Sequence, residues 1–215
     1  MNSQKAISPA QEFFESSEIN VRKEKEYVGR GAEKLAGAMQ VFRIRVEGKI
    51  CADIGAATGG FTQVLLQHGA KKVYAIDTAK GKLAFKLRED SRVAVMEGTD
   101  VRNLLGLPEI PELVTIDVSL ISLRNILPAA SRIMNQNGEV VALFKPQYEA
   151  RDQKMLRHGI IIDESYREFL VKDFIAWAET SGWKVRQTTI SPIQGAEGNI
   201  EYLIYLKRES RPTAQ

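Results

Sequence analysis

Two carboxylates and two lysines occupy positions of the sequence where charged side chains are costly. Asp117 and Lys145 directly follow apolar runs with the pattern of buried strands, Glu201 opens the last predicted strand, and Lys34 lies in a short polar segment. A lysine at the end of a buried strand needs a carboxylate or a function to balance its charge. Two interpretations stay open: a structural Asp117–Lys145 ion pair, or a catalytic group that assists proton removal.

A glycine-rich turn follows the first predicted strand. Residues 53–61 (DIGAATGGF) lead from that strand into a helix. Glycines at such a turn let the backbone pass close to a ligand, because a side chain there would occupy the ligand's space. The alternative is a tight connection without a ligand.

Acidic residues end the next two predicted strands. Asp77 stands where a carboxylate can accept both ribose hydroxyls of an adenosine-containing cofactor, and Asp100 stands where it can accept a hydrogen bond from an adenine amino group. Either acid can instead cap the following helix. The predicted cofactor-binding residues are Asp53, Gly55, Gly59, Gly60, Phe61, Asp77, Asp100 and Asp117.

The spacing of the glycines separates three classes of cofactor. Ala57 stands where the dinucleotide fingerprint G-x-G-x-x-G needs its second glycine, and Phe61 follows Gly60 where a phosphate loop needs lysine. A cofactor without phosphates to cradle fits the turn better. The sequence therefore predicts S-adenosylmethionine, a sulfonium compound.

Alternating apolar runs define the elements that position these residues. Strands are predicted at 50–54, 72–76, 93–96, 113–118 and 140–144, and helices at 61–68, 80–88, 123–135 and 164–181. This succession predicts an α/β fold with a doubly wound, mostly parallel sheet. Runs at 184–190 and 200–206 have no helix between them, so the last strand returns antiparallel. The expected fold is a seven-stranded Rossmann-like sheet of the methyltransferase kind.

Composition limits the class of protein. The 215 residues favour one domain at 27–208, with a polar arm at 1–26 and a tail at 209–215. A net charge of +3 permits a nucleic-acid partner without demanding one. The single cysteine, Cys51, excludes an intrachain disulfide or a cysteine zinc cluster and is expected in the core. Without a signal sequence or an apolar span, a cytoplasmic location is expected.

Four motifs carry a specific resemblance. Residues 27–35 (YVGRGAEKL), 53–61 (DIGAATGGF), 145–149 (KPQYE) and 198–202 (GNIEY) resemble the TlyA-type, haemolysin-like branch of the FtsJ-like RNA methyltransferases, over roughly residues 27–207. The resemblance implies that the Lys-Asp-Lys-Glu tetrad of 2′-O-methyltransferases falls on Lys34, Asp117, Lys145 and Glu201. The α-L-type RNA-binding domain common in the family has no counterpart in the roughly 26 preceding residues.

The resemblance implies S-adenosylmethionine-dependent methylation of a ribose 2′-hydroxyl, with ribosomal RNA or a ribosomal subunit as partner. Lys145 is expected either to take the proton or to orient the hydroxyl, and no metal is required. Basic residues expected near the rim of the site are candidates for phosphate contacts, with plain solvated surface charges as the alternative: Arg22, Lys23, Lys25, Arg30, Lys154 and Arg157. A small-molecule methyltransferase and a non-catalytic RNA- or ribosome-binding protein remain alternatives.

Overall fold

A seven-stranded sheet organises residues 27–209, the part of the chain that the computed structural model describes. The strand order is β3-β2-β1-β4-β5-β7-β6. Strands β1 to β5 are parallel, and β7 is antiparallel to both of its neighbours. The strands are β1 (Ile50–Ile54), β2 (Lys72–Asp77), β3 (Val93–Glu97), β4 (Leu113–Ile116), β5 (Glu139–Phe144), β6 (Trp183–Ile190) and β7 (Tyr202–Arg208). The predicted fold class is confirmed.

Helices cover both faces of the sheet. They are α1 (Gly31–Phe42), α2 (Gly60–Gln67), α3 (Phe85–Arg88), α4 (Leu123–Ile133), α5 (Pro146–Glu149) and α6 (Glu164–Thr180), with 3₁₀ turns at Val101–Asn103 and Gln153–Met155. One apolar core lies between the sheet and α4 and α6, and a second lies between the sheet and α1, α2 and α3. Cys51 is fully buried in the second core, as predicted. No helix among residues 27–209 is long and apolar enough to cross a membrane.

The structure departs from the predicted elements in three places. The helix predicted at 80–88 is only α3, because Glu97 binds the backbone N–H groups of residues 81–83 in a loop. Strand β4 ends at Ile116, so Asp117 lies in the following loop, and β7 begins after Glu201. The predicted arm at 1–26 and the tail beyond Glu209 lie outside the described residues.

Helix α1 was not predicted from the sequence. Its N-cap, Arg30, makes no side-chain capping hydrogen bond, and its first residue is glycine, so the usual start signals are missing. The helix is held instead by tertiary packing of Leu35, Met39 and Phe42, all buried. Tertiary burial therefore supplies the stability that local signals do not.

Helix α1 packs against the start of α2 at a point where no side chain fits. A Cβ atom on Gly60 would lie 2.7 Å from the backbone nitrogen of Ala32 and 3.3 Å from the carbonyl carbon of Gly31. Both neighbours are backbone atoms, which cannot rotate out of the way. The approach of α1 to the glycine-rich turn thus depends on Gly60 having no side chain.

We expect Gly60→Ala to lower the free energy of unfolding by about 1–3 kcal/mol, because the methyl group overpacks a backbone contact. Gly106→Ala is the matched control, since a Cβ atom there meets nothing within 4 Å. The control should stay within about 0.5 kcal/mol of the parent. Urea unfolding of both variants makes the comparison, and equal stabilities would contradict the close packing of α1 on α2.

Candidate active site and cofactor cavity

Lys145 lies at the end of β5 with two partners from the loop after β4. Its ammonium is 2.7 Å from Oδ1 of Asp117 and donates a 3.0 Å hydrogen bond to Oγ of Ser119. The residue is only 9 % exposed. A lysine ammonium has three donors, so one N–H of Lys145 is left for a further acceptor after these two contacts.

Lys34 and Glu201 form a second ion pair. Nζ of Lys34 lies 2.5 Å from Oε2 of Glu201, and the side chains are 9 % and 3 % exposed. The other carboxylate oxygen of Glu201 faces Gly195, where a Cβ atom would approach Oε1 at 2.6 Å. The pair therefore joins the first helix of the described chain to its last strand.

The strand register and helix α1 bring the two pairs together. Phe144 of β5 pairs with Tyr202 of β7, so the next residues at that end of the two strands are Lys145 and Glu201. On α1, Gly31 is one turn before Lys34, and a Cβ atom on Gly31 would lie 3.5 Å from Oδ2 of Asp117. One face of α1 therefore lies next to Asp117 at Gly31 and next to Glu201 at Lys34. The four residues of the predicted tetrad form one cluster.

A cavity of about 520 Å³ opens beside this cluster, at the carboxyl ends of β1, β2 and β4. This volume lies in the range of small-molecule sites. Its lining combines apolar and polar residues, with Asp77, Asp100 and Asp117 as the carboxylates. The lining also includes Ile54, Gly55, Ala57, Ile76, Thr78, Thr99, Val101, Arg102, Val118, Ser119, Leu120, Ile121 and Ile126.

Asp77 is held rigidly at the cavity wall. Its Oδ2 accepts a 2.7 Å hydrogen bond from the N–H of Ala57, and its Oδ1 accepts a 2.8 Å hydrogen bond from the N–H of Ala79. Each carboxylate oxygen retains acceptor capacity after one such bond. Asp77 can therefore accept two further hydroxyl groups from a molecule in the cavity.

The other predicted cofactor-binding residues have different positions. Asp100 lines the cavity, but it also caps the turn at Val101–Asn103 and pairs with Arg102 at 2.6 Å, as the capping interpretation expects. Gly55 lines the cavity, and a side chain there would overlap the carbonyl of Asp117. Gly59, Gly60 and Phe61 are buried and are not among the lining residues.

Asp53 lies beneath the glycine-rich turn, fully buried and outside the cavity lining. It accepts hydrogen bonds from the hydroxyls of Thr62, at 2.7 Å, and Thr115, at 3.0 Å. Burial raises the pKa of its carboxyl to about 7, against the lowering effect of those two hydroxyls. Asp53 therefore supports the turn from below.

Comparison with known proteins identifies the family. Residues 27–208 match the FtsJ-like methyltransferase family. The chain belongs to that family. It is 43 % identical over 208 residues to hemolysin A of Brachyspira hyodysenteriae, covering 95 % of this chain and 87 % of the relative. It is 38 % identical over 211 residues to the 16S/23S rRNA (cytidine-2′-O)-methyltransferase TlyA of Mycobacterium tuberculosis, covering 95 % and 78 %.

A solved structure agrees with this assignment. A proposed hemolysin from Streptococcus thermophilus is 44 % identical and superposes with a TM-score of 0.84, covering 88 % of this chain and 70 % of that one. The resemblance to TlyA-type proteins predicted from the sequence is confirmed. This FtsJ-like methyltransferase therefore shares its fold with haemolysin-named relatives across most of the chain.

Sequence reasoning missed several residues of the site. Ser119 accepts a hydrogen bond from Lys145, which also pairs with Asp117. Gly31, which has no side chain, lets α1 lie close to Asp117. Asn199 is 1 % exposed and joins the segment before Glu201 to the N–H of Ile161 and the carbonyl of Gly159. Gly31 and Asn199 lie within the quoted motifs, and Ser119 lies two residues after Asp117, which was the available signal.

The raised pKa of Asp53 predicts a pH dependence of stability. The folded protein keeps this carboxyl protonated up to about pH 7, whereas the unfolded chain loses the proton near its ordinary pKa of about 3.9. Relative to Asp53→Asn, the wild type should lose stability as pH rises from about 4 to 7, by up to roughly 4 kcal/mol, and level off above pH 7. Urea unfolding across this range tests it, and a pH-independent difference would contradict it.

Proposed function

We propose that this FtsJ-like methyltransferase uses S-adenosylmethionine to methylate a ribose 2′-hydroxyl of ribosomal RNA. The observation that carries the proposal is the cluster of two buried lysine–carboxylate pairs beside the cavity. The proposed catalytic residues are Lys34, Asp117, Lys145 and Glu201. We assign the activity to the cytoplasm.

The cavity fits the adenosine part of such a cofactor. Asp77 offers two carboxylate oxygens to the ribose hydroxyls, and Gly55 lines the cavity while its lack of a side chain admits the carbonyl of Asp117. The one guanidinium among the described lining residues, Arg102, is already paired with Asp100, so no unpaired side-chain cation in that lining is left for a phosphate. These features favour a sulfonium nucleoside over a dinucleotide.

When bound, S-adenosylmethionine supplies an electrophilic methyl group on a sulfonium that departs as a neutral thioether. The hydroxyl of the acceptor must lose its proton as the new oxygen–carbon bond forms. Lys145 is oriented for this step because Asp117 and Ser119 fix two of its three donor positions. Its third position faces the acceptor oxygen in this proposal: as a neutral amine Lys145 takes the hydroxyl proton, and as an ammonium it orients the hydroxyl while water takes the proton.

Lys34 and Glu201 form the opposite wall of the acceptor site. Their ion pair is more deeply buried than that of Lys145 and Asp117, and it fixes α1 against β7. A positive charge there stabilises negative charge that develops on the acceptor oxygen as its proton leaves. Lys34 thus complements Lys145 without needing to exchange a proton.

A relative named as a 16S/23S rRNA (cytidine-2′-O)-methyltransferase supports ribosomal RNA as the acceptor. The test supplies S-adenosylmethionine labelled in its methyl group, purified ribosomal subunits and deproteinised ribosomal RNA. Label should enter RNA, and alkaline hydrolysis should leave it in an uncleaved dinucleotide, because a 2′-O-methyl group blocks cleavage at that ribose. Label in a base, or in a small molecule only, would overturn the proposal.

Lys145→Ala should lower the single-turnover rate of methyl transfer by about 100-fold or more, the effect expected for losing a positioned proton-transfer group. Affinity for S-adenosylmethionine should change little, because Lys145 is not among the residues that line the cavity. Lys184→Gln, an exposed lysine on β6 without an ion pair among the described residues, is the control.

The structural interpretation predicts a different result for the same variant. If Lys145 served only as the partner of Asp117, Lys145→Ala would destabilise the protein by roughly 3–5 kcal/mol and leave the rate of the folded fraction unchanged. Melting temperature and cofactor affinity are therefore measured on the samples used for kinetics. A folded variant that transfers methyl groups at the parent rate removes Lys145 from the mechanism.

A further inference from the structure

Residues 80–86, here named the basic–aromatic segment, lie on the surface and run from the loop after β2 into the first two residues of α3. Lys80, Lys82 and Lys86 are exposed, and none has a carboxylate within ion-pair distance among the described residues. Phe85 is 75 % exposed, whereas Leu83 is 5 % exposed. The segment thus buries its leucine and presents an aromatic ring among three unpaired cations.

Glu97 holds this segment in one conformation. Its carboxylate accepts hydrogen bonds of 2.8–2.9 Å from the backbone N–H groups of Gly81, Lys82 and Leu83, and one of 2.9 Å from Arg88. These donors, the N–H of Leu83 first, lower the pKa of Glu97 to about 2, so the carboxylate stays charged at neutral pH. A surface held in this way loses little conformational entropy when a ligand binds.

The basic–aromatic segment is continuous with the active site. The N–H of Ala84 donates a 3.1 Å hydrogen bond to the carbonyl of Thr58, and the side chains of Leu83 and Leu87 cover Gly59. On its other side, the hydroxyl of Thr58 fills the space beside Gly29, two residues before α1 begins. A chain bound at Lys145 can therefore continue across the start of α1 to this segment.

We propose that the basic–aromatic segment is an RNA-docking surface, in which Phe85 stacks on an unpaired base and Lys82 and Lys86 contact the flanking phosphates. Exposed aromatic rings among lysines are the features that bind single-stranded nucleic acid, since every base has a face that stacks and every linkage has a negative charge. The inference rests on the proposed RNA substrate. An anionic membrane surface is the competing partner, and it is an outcome of the test.

The first experiment separates stacking from simple apolar contact. Binding of a fluorescein-labelled single-stranded RNA of about 20 nucleotides, long enough to span such a site, is measured by anisotropy for the full chain. Phe85→Leu should weaken binding by on the order of 10-fold, because leucine keeps the apolar bulk and loses the ring, whereas Phe85→Trp should bind as the parent does. Phe169→Leu, at an exposed aromatic of α6 on the other face of the sheet, is the control.

The second experiment counts phosphate contacts. The double variant Lys82→Gln/Lys86→Gln should reduce the slope of log affinity against log salt concentration by about 1.4, since each phosphate contact to a single strand contributes about 0.7. Lys71→Gln/Lys184→Gln is matched in charge and exposure, but both residues lie near the starts of β2 and β6, at the opposite edge of the sheet. This control should keep the parent slope.

Several outcomes overturn the docking surface: parent-like RNA binding by Phe85→Leu, failure of Phe85→Trp to restore binding, or an unchanged slope in the lysine variant. Binding to anionic phosphatidylserine vesicles that depends on Phe85, without an effect on RNA, would assign the segment to a membrane. The proposed function is tested separately by methyl transfer to ribosomal RNA. If the variants bind RNA as the parent does and methyl transfer persists, only the docking surface is ruled out. If RNA binding depends on Phe85 but no methyl group is transferred, only the catalytic function is ruled out.

Discussion

Two lysine ammonium groups lie where water is largely excluded, and their need for carboxylate partners ties distant parts of the chain together. Lys34 and Lys145 are 7 % and 9 % exposed, and an unpaired charge at such depth would destabilise the fold by several kcal/mol. The partners come from the loop after β4 and from the residue before β7. The cluster is therefore complete only when β7 has joined the sheet.

The second requirement is for positions without side chains. Gly60 admits the backbone of α1, Gly31 faces Asp117, and Gly55 lies against the carbonyl of Asp117. The first two bring the helix that carries Lys34 against the start of α2 and the loop that carries Asp117. The contacts at Gly60 and Gly55 are backbone to backbone. They position the charged groups more rigidly than contacts between long side chains, because neither partner has rotamers to lose.

The glycine-rich turn connects two surfaces. Gly55 and Ala57 face the cofactor cavity, whereas Thr58 and Gly59 contact the basic–aromatic segment. Buried Asp53 supports the turn from below through Thr62 and Thr115. A displacement of the turn would therefore alter the cavity and the proposed docking surface together.

The sequence predicted the sheet, its antiparallel last strand and the four residues of the two ion pairs, because apolar periodicity and strand-end charges are local signals. It also predicted Asp77 at the cavity, since parallel strands expose their carboxyl ends at one edge. It did not predict α1, whose start lacks a capping side chain and whose stability comes from burial. The helix predicted at 80–88 is present only as α3. The backbone N–H groups of residues 81–83 donate hydrogen bonds to Glu97, more than ten residues away along the chain, instead of to helix carbonyls.

Only the tertiary structure shows which carboxylates line the cavity and which lie beneath the glycine-rich turn that borders it. Asp53 lies within β1 and Asp77 ends the neighbouring β2, yet Asp53 is sealed beneath the turn and Asp77 lines the cavity. It likewise decided that Lys34 pairs with Glu201 and Lys145 with Asp117. Pairing of this kind depends on distances between segments far apart along the chain, and those distances are set by the packing of helices on the sheet, which no local pattern encodes.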